Sequence, residues 1–229
     1  QTRFRGRRRT DRQPAGRQVL VHRLHRDRQG ADPPVRLDGE EGFDGTSVRD
    51  IAKKANINIA MISYYFGSKE KLLEALVIYR IKAMSMHLEN LYQENISPLD
   101  KMDKLIAYYI QRVHQNRSIY QILHFELSNN KREINLQTFT EVKKNNLRFL
   151  ENIIKEGQDQ GVFQPNINVT LLPTIILGSY SHMHMNKVYY KEVLNLNTEA
   201  DFENYVLTEL TAHIQKTIKA LLVFDSNNR

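Results

Sequence analysis

The stretch Gly42-Phe43-Asp44-Gly45-Thr46-Ser47-Val48-Arg49-Asp50-Ile51-Ala52-Lys53-Lys54-Ala55-Asn56-Ile57-Asn58-Ile59-Ala60-Met61-Ile62-Ser63-Tyr64-Tyr65-Phe66-Gly67-Ser68-Lys69-Glu70-Lys71-Leu72 decides how the chain is read. Thr46 and Ser47 place hydroxyls four and three residues before Asp50, the pattern of a capping box at a helix start. Val48, Ile51, Ala52 and Ala55 follow on one helical face. Asn56 tolerates the left-handed conformation that closes a helix. Asn58 is placed to cap a second short helix, Ile59–Phe66, which Gly67 stops. Ser68 and Lys69 open a third, whose apolar stripe runs through Leu72, Leu73, Leu76, Val77, Ile81, Met84, Leu88 and Leu91. Two short helices about a tight turn at Asn56 make a helix-turn-helix, a unit that presents its second helix to the DNA major groove.

Before this stretch the composition changes. Residues 1–41 hold 11 Arg and no Lys, Ile or Asn, whereas residues 42–229 hold 7 Arg, 15 Lys, 19 Ile and 19 Asn. With 11 Arg against 6 acids the leader carries +5 of the chain's +7. The tract from Asp32 to Gly42 contains Pro33 and Pro34, which remove donors and clash inside a helix. Back-translated and slipped by one base, it permits I-L-R-F-A-L-M-A-K-K-G, an amphipathic helix leading into Phe43. The leader is expected to be a tag or linker, an out-of-frame reading of a first helix, or a basic arm that neutralises phosphates.

After it the chain reads as nearly all helix. Proline occurs only at 98, 165 and 173, and no stretch sustains period-two alternation. Pro98 opens a helix with Met102, Leu105, Ile106, Tyr109 and Val113 on one face. Tyr120, Leu123, His124 and Leu127 mark the next. Phe139, Val142, Phe149 and Ile153 mark another, interrupted by Asn146. Beyond a turn at residues 157–165 come a helix through Leu172, Ile176, Ser179 and Met183 and a last one through Phe202, Val206, Leu210, His213, Thr217 and Leu221. The expected fold class is all-α.

Several function classes are excluded. The chain has no Cys, so a disulfide scaffold, a thiolate zinc site and a Cys nucleophile are out. Apolar residues at 41% are too many for wholesale disorder. No apolar run approaches the roughly 20 residues of a membrane span, and the N-terminus lacks the apolar core of a secretory signal. The expectation is a soluble cytoplasmic protein. There is no Gly-rich phosphate loop, no Ser/His/Asp arrangement and no diagnostic acid pair, so neither enzyme nor cofactor is expected. His182 and His184 stand two apart on a helix and do not face each other, so no metal site is expected.

The stretch from Gly42 to Leu72, with its Tyr64-Tyr65-Phe66-Gly67-Ser68-Lys69-Glu70 ending, resembles the DNA-binding domain of the TetR family of bacterial repressors. The segment Glu156-Gly157-Gln158-Asp159-Gln160-Gly161-Val162-Phe163-Gln164-Pro165 resembles a turn found between two helices of the family's larger domain. The resemblance implies a helix-turn-helix domain over residues 42–88, which includes the start of a linking helix, and a helical ligand-binding and dimerisation domain over 89–229. The departures are a leader that supplies no first-helix core, Asn56 in place of the turn's usual glycine, and an apolar start to the recognition helix.

By resemblance, the major-groove face is Asn58, Ile59, Ala60, Met61, Ser63 and Tyr64, and Lys69 is the phosphate-contacting lysine. Ile, Ala and Met read only shape and the thymine methyl, whereas Asn and Ser bond base edges. Thr46 and Ser47, at a helix N-terminus, suit a phosphate oxygen as well as a cap. Tyr64 and Tyr65 each offer a ring and a hydroxyl, one of them mostly to the core. Val48, Ile51, Ala55, Ile57, Ile62 and Phe66 have the spacing of core.

In the larger domain, Tyr108, His124, Phe125, Tyr180, His182 and His184 combine apolar walls with polar handles for a small effector, or serve as plain core and surface. The last two helices resemble the family's dimerisation pair. The implied function is a ligand-responsive, homodimeric, nucleoid-associated repressor on a palindromic operator. Two other classes stay open: an all-α small-molecule-binding or enzymatic protein with a vestigial helix-turn-helix, and a non-specific nucleic-acid binder that uses the Arg-rich leader.

Overall fold

A computed structural model describes residues 16–21, 42–117, 119–122 and 137–224, and every described element is helical. The chain divides into two compact units, residues 1–80 with 118–136, and residues 81–117 with 137–229.

In the first unit, residues 16–21 form a helical turn (α1) whose Leu20 and Val21 are buried. Gly16 lies so close under Tyr65 that a Cβ would come within 2.4 Å of the tyrosine hydroxyl oxygen. The Arg17 guanidinium sits 5.4 Å from the centre of the Phe66 ring. The leader therefore does supply core, against the sequence expectation, through Leu20 and Val21, while Val19 stays exposed and the Arg17 guanidinium lies over an aromatic face. The tract read as out of frame, 32–41, lies outside the described residues.

Gly42–Gly45 (α2), Val48–Lys54 (α3) and Ile59–Phe66 (α4) follow. Ser47 and Asp50 close a full capping box: the Ser47 hydroxyl accepts from Asp50 N at 3.1 Å and Asp50 Oδ2 accepts from Ser47 N at 3.2 Å. Of the two hydroxyls before Asp50, the structure uses Ser47 as the cap. Asn56 takes φ 51 at the turn. There Asn56 N donates to Lys53 O and Ile57 N to Ala52 O, which satisfies the carbonyls left at the end of α3. Asn58 caps α4 by accepting from Ala60 N at 2.8 Å, and Gly67 closes it with φ 77. Ile51, Ile62 and Phe66 are buried, while Val48, Ala55 and Ile57 are only half-buried.

Lys69–Gln93 (α5) is one helix shared by both units: Leu72, Leu73, Leu76 and Val77 are buried in its first half, Ile81, Met84, Leu88 and Leu91 in its second.

The second unit is built around Pro98–Gln115 (α6), which packs against Gln137–Asp159 (α7), Leu172–Met185 (α8) and Thr211–Leu222 (α11). Lys187–Val193 (α9) and Glu199–Tyr205 (α10) connect α8 to α11. The expected stripe of α6 is buried at Met102, Leu105, Ile106 and Val113, with Tyr109 half-buried. Asn146 does not interrupt α7. It is buried within it, and its Oδ1 accepts from Ser85 on α5 at 2.5 Å.

Gly157 ends the buried face of α7 against Phe163, where a Cβ would meet the ring at 2.0 Å. Phe163 is 1% exposed, so this close approach is what seats the turn after α7.

The last helical stretch corrects the sequence reading. Between α10 and α11 the backbone makes a π turn at Val206–Leu210. A π turn takes up extra chain, so a buried stripe that passes through it moves on by about one position. The buried residues are Phe202, Val206, Thr211, Ile214, Ile218 and Leu222, in place of Leu210, His213, Thr217 and Leu221. The Thr211 hydroxyl donates to Val206 O at 3.0 Å across the wide turn.

Candidate nucleic-acid interface and buried polar cluster

Helix α4 separates its residues sharply. Ile62 and Phe66 face the core, and Ile59, Ala60, Met61, Ser63 and Tyr64 are exposed. Exposure reaches 42% at Ile59, 37% at Met61 and 68% at Tyr64, high for side chains that gain from burial. Tyr65 is half-buried against Gly16 and meets Tyr64 edge-on at 5.0 Å, so Tyr65 is the tyrosine given to the core.

The flanking residues are already engaged. The Ser47 hydroxyl also donates to Asp50 Oδ2 at 2.5 Å, and these bonds hold the Asp50 carboxyl below its ordinary range. Lys69 Nζ donates to Phe43 O at 2.6 Å and Thr46 O at 2.9 Å and lies 4.3 Å from the centre of the Phe43 ring. It thereby ties α2 and the start of α3 to the start of α5. Arg49, Lys53 and Lys54 on α3 are exposed, and the sequence reading did not single them out.

The second unit holds a cluster of rings and polar groups on α6, α8 and α10. Tyr180 Oη lies 3.4 Å from His114 Nδ1, the Tyr180 and His184 rings are parallel at 5.7 Å, and His184 lies 6.1 Å from Phe202. Arg117 Nη1 donates to Glu203 Oε1 at 3.0 Å, and Lys187 donates to Glu199. Burial pushes the His114 imidazole below the ordinary histidine range. It does the same to His184, where Arg117, His114 and Lys187 add to the effect. Both rings are thus neutral near pH 7, and burial holds the Tyr180 hydroxyl well above its usual value. His184 Nδ1 is buried without a partner among the described residues.

Of the expected effector residues, Tyr180 and His184 meet in this cluster. Tyr108 belongs to a different group: it stacks on His87 with ring centres 3.4 Å apart and accepts from Arg112 Nε at 3.0 Å. His182 is exposed and meets Tyr190 edge-on. His124 and Phe125 lie outside the described residues. Sequence reading missed His114, whose partner Tyr180 is 66 residues away. No group of three metal-ligating side chains occurs among the described residues, and no described helix is long and apolar enough to cross a membrane.

A capped helix-turn-helix followed by a larger helical unit defines a DNA-binding regulator of the helix-turn-helix class. The profile of bacterial regulatory proteins of the tetR family matches residues 35–76, and that of the YsiA-like protein C-terminal region matches residues 79–210. The chain belongs to the TetR family of transcriptional regulators. It is 33% identical over 167 residues to a probable HTH-type transcriptional regulator of Bacillus subtilis (strain 168), YttP, covering 70% of this chain and 77% of that protein. It is 28% identical over 145 residues to the HTH-type transcriptional repressor NicS of Pseudomonas putida, covering 59% of this chain and 65% of that protein. In fold it resembles the transcriptional regulator FadR of Bacillus subtilis, solved in complex with stearoyl-CoA, with a TM-score of 0.60 and 18% identity over 90% of this chain and 97% of that one. The family and these relatives are regulators, so the enzymatic alternative falls.

Proposed function

We propose that the chain is a homodimeric repressor that reads a palindromic operator through α4 and is released by a small effector bound in its second unit. The observation that carries this reading is the exposed face Ile59, Ala60, Met61, Ser63 and Tyr64 on the second helix of a helix-turn-helix. Residues 42–88 form the DNA-binding half and 89–229 the regulatory half. Asn58 opens the recognition helix, Thr46 and Ser47 approach phosphate through the first turn of α3, and Tyr65 and Lys69 hold that frame from behind. The exposed apolar side chains Met185, Val188, Tyr189, Val193 and Leu221 support a second copy as partner. Such a regulator works in the cytoplasm, on the nucleoid.

The effector handle is the Tyr180–His184 pair with His114. The lone buried His184 Nδ1 supports this assignment, since buried polar atoms are ordinarily paired. Tyr108 is a second effector candidate through its stack with His87. Release is a two-state shift: an effector displaces the DNA-competent form only by its differential affinity for the two forms.

The test is fluorescence anisotropy on DNA from upstream of the chain's own gene, beside scrambled DNA, at two salt concentrations. Preferential binding that weakens steeply with salt is expected. Equal affinity for both duplexes overturns the reading. Stearoyl-CoA, the ligand in the FadR structure, is the first effector probe for release of that complex.

A further inference from the structure

In a helix-turn-helix the N-terminal residues of the recognition helix contact base edges. Here those residues are Ile59, Ala60 and Met61, all exposed. The helix Ile59–Phe66 contains no Lys, Arg, Asn, Gln, Asp or Glu. It therefore lacks the arginine or lysine that reads guanine and the amide pair that reads adenine. Three polar groups that flank it are engaged within the protein. The Asn58 amide oxygen caps Ala60 N, the Ser47 hydroxyl is locked in its box with Asp50, and Lys69 is bonded to two carbonyls. What the first turn of α4 offers the groove is branched and thioether hydrocarbon. The one apolar group that base pairs display in the major groove is the C5 methyl of thymine.

We propose that operator specificity is carried by thymine methyl groups packed against Ile59 and Met61, so that each half-site places A·T pairs where the first turn of α4 enters the groove. This rests on the DNA-binding reading and adds the base that the site recognises. Ser63 and Tyr64, one turn further on, add hydrogen bonds beside that apolar contact. The exposed cations Arg49, Lys53 and Lys54 on α3 supply affinity for phosphate without sequence information.

The full-length protein is used to select binding duplexes from a random pool, and the winning operator is resynthesised with uracil for thymine in both half-sites. Uracil keeps every hydrogen-bonding group and removes only the methyl. The dissociation constant is expected to rise about fourfold per contacted thymine, the effect of one methyl group's burial. A contacted T·A pair replaced by C·G weakens binding, and 5-methylcytosine at that position restores part of it. Ile59→Ala and Met61→Ala bind the thymine operator more weakly and lose sensitivity to uracil. Both positions are exposed and alanine favours helix, so the fold is kept, as a circular dichroism melt will show. If Ile59→Ala binds too weakly to compare, Ile59→Val carries the same comparison. Equal affinity of the unaltered protein for thymine and uracil operators overturns the methyl readout and leaves DNA binding standing. Failure to enrich any sequence overturns the DNA reading itself.

Discussion

In the first unit Ser47, Asp50 and Asn58 place their polar atoms at helix ends, in the open, and satisfy backbone groups within three residues of themselves. In the second unit Lys101, Asn146 and His114 carry theirs inside, to partners 55, 61 and 66 residues away. Lys101 Nζ, on a residue only 4% exposed, donates to Tyr92 O at 3.0 Å and to both oxygens of Glu156, at 3.0 and 2.8 Å. Local satisfaction engages Ser47 and the Asn58 amide oxygen beside the first turn of α4 and leaves Ile59, Ala60 and Met61 as the exposed surface of that turn. Distant satisfaction makes the second unit intolerant of a lost partner, because a buried polar group without one bears its full desolvation cost.

This contrast predicts a graded series. Lys101→Ala removes three bonds and leaves Tyr92 O and the Glu156 carboxylate without their cation. A loss of about 3 kcal/mol is expected in urea unfolding, the low end for a broken buried pair because Glu156 still reaches water. A loss under about 1 kcal/mol would erase the distinction between the units. Gly157→Ala forces the Phe163 ring away and is expected to cost about 2 kcal/mol by overpacking, read as a lower unfolding midpoint at an unchanged m-value. Ser47→Ala, in the first unit, loses one side of a capping box and is expected to cost only about 1 kcal/mol.

Acid sharpens the comparison further. His87, His114 and His184, all in the second unit, have imidazoles depressed by burial. The unfolded chain therefore binds protons first as pH falls through the ordinary histidine range. Stability is full above that range and declines below it until the folded-state values are reached. Urea midpoints measured from pH 7.5 to 5 are expected to fall, and His184→Phe flattens the slope. Asp50, in the first unit, has its carboxyl lowered, and its contribution goes only in the more acidic carboxylate range. The smallest effect on stability is expected at Tyr64→Ala, within about 0.5 kcal/mol because the ring is 68% exposed, while operator affinity drops.

The helix-turn-helix was legible because each of its signals is local. The Asn58 cap and the Gly67 stop bound α4 as Ile59–Phe66, and Asn56 at φ 51 does what an asparagine in that turn can do. The buried face, Ile62 and Phe66, followed from spacing, whereas the outward face was assigned by resemblance to the family. The effector cluster was half legible. Tyr180 and His184 were named among the effector candidates and stand four apart on one helix, whereas His114 joins them only through the packing of α6 on α8. Asn146 read as a break in a stripe, because the sequence does not show that Ser85 waits for it across the unit.

By itself the sequence determined what one or two turns of chain decide: where the short helices begin and end, which face of each is apolar, and that the second helix of the pair carries no charge. Tertiary structure alone decided what depends on distant partners. It drew Leu20 and Val21 of the leader into the core, and it directed Lys69 to two backbone carbonyls. It also moved the buried stripe of the last helix from Leu210, His213, Thr217 and Leu221 to Thr211, Ile214, Ile218 and Leu222. A helical period repeats faithfully only while the helix stays α. Packing against α6 and α8 is recovered with Ile214, Ile218 and Leu222 facing inward, and one wide turn at Val206–Leu210 is the local cost of that register.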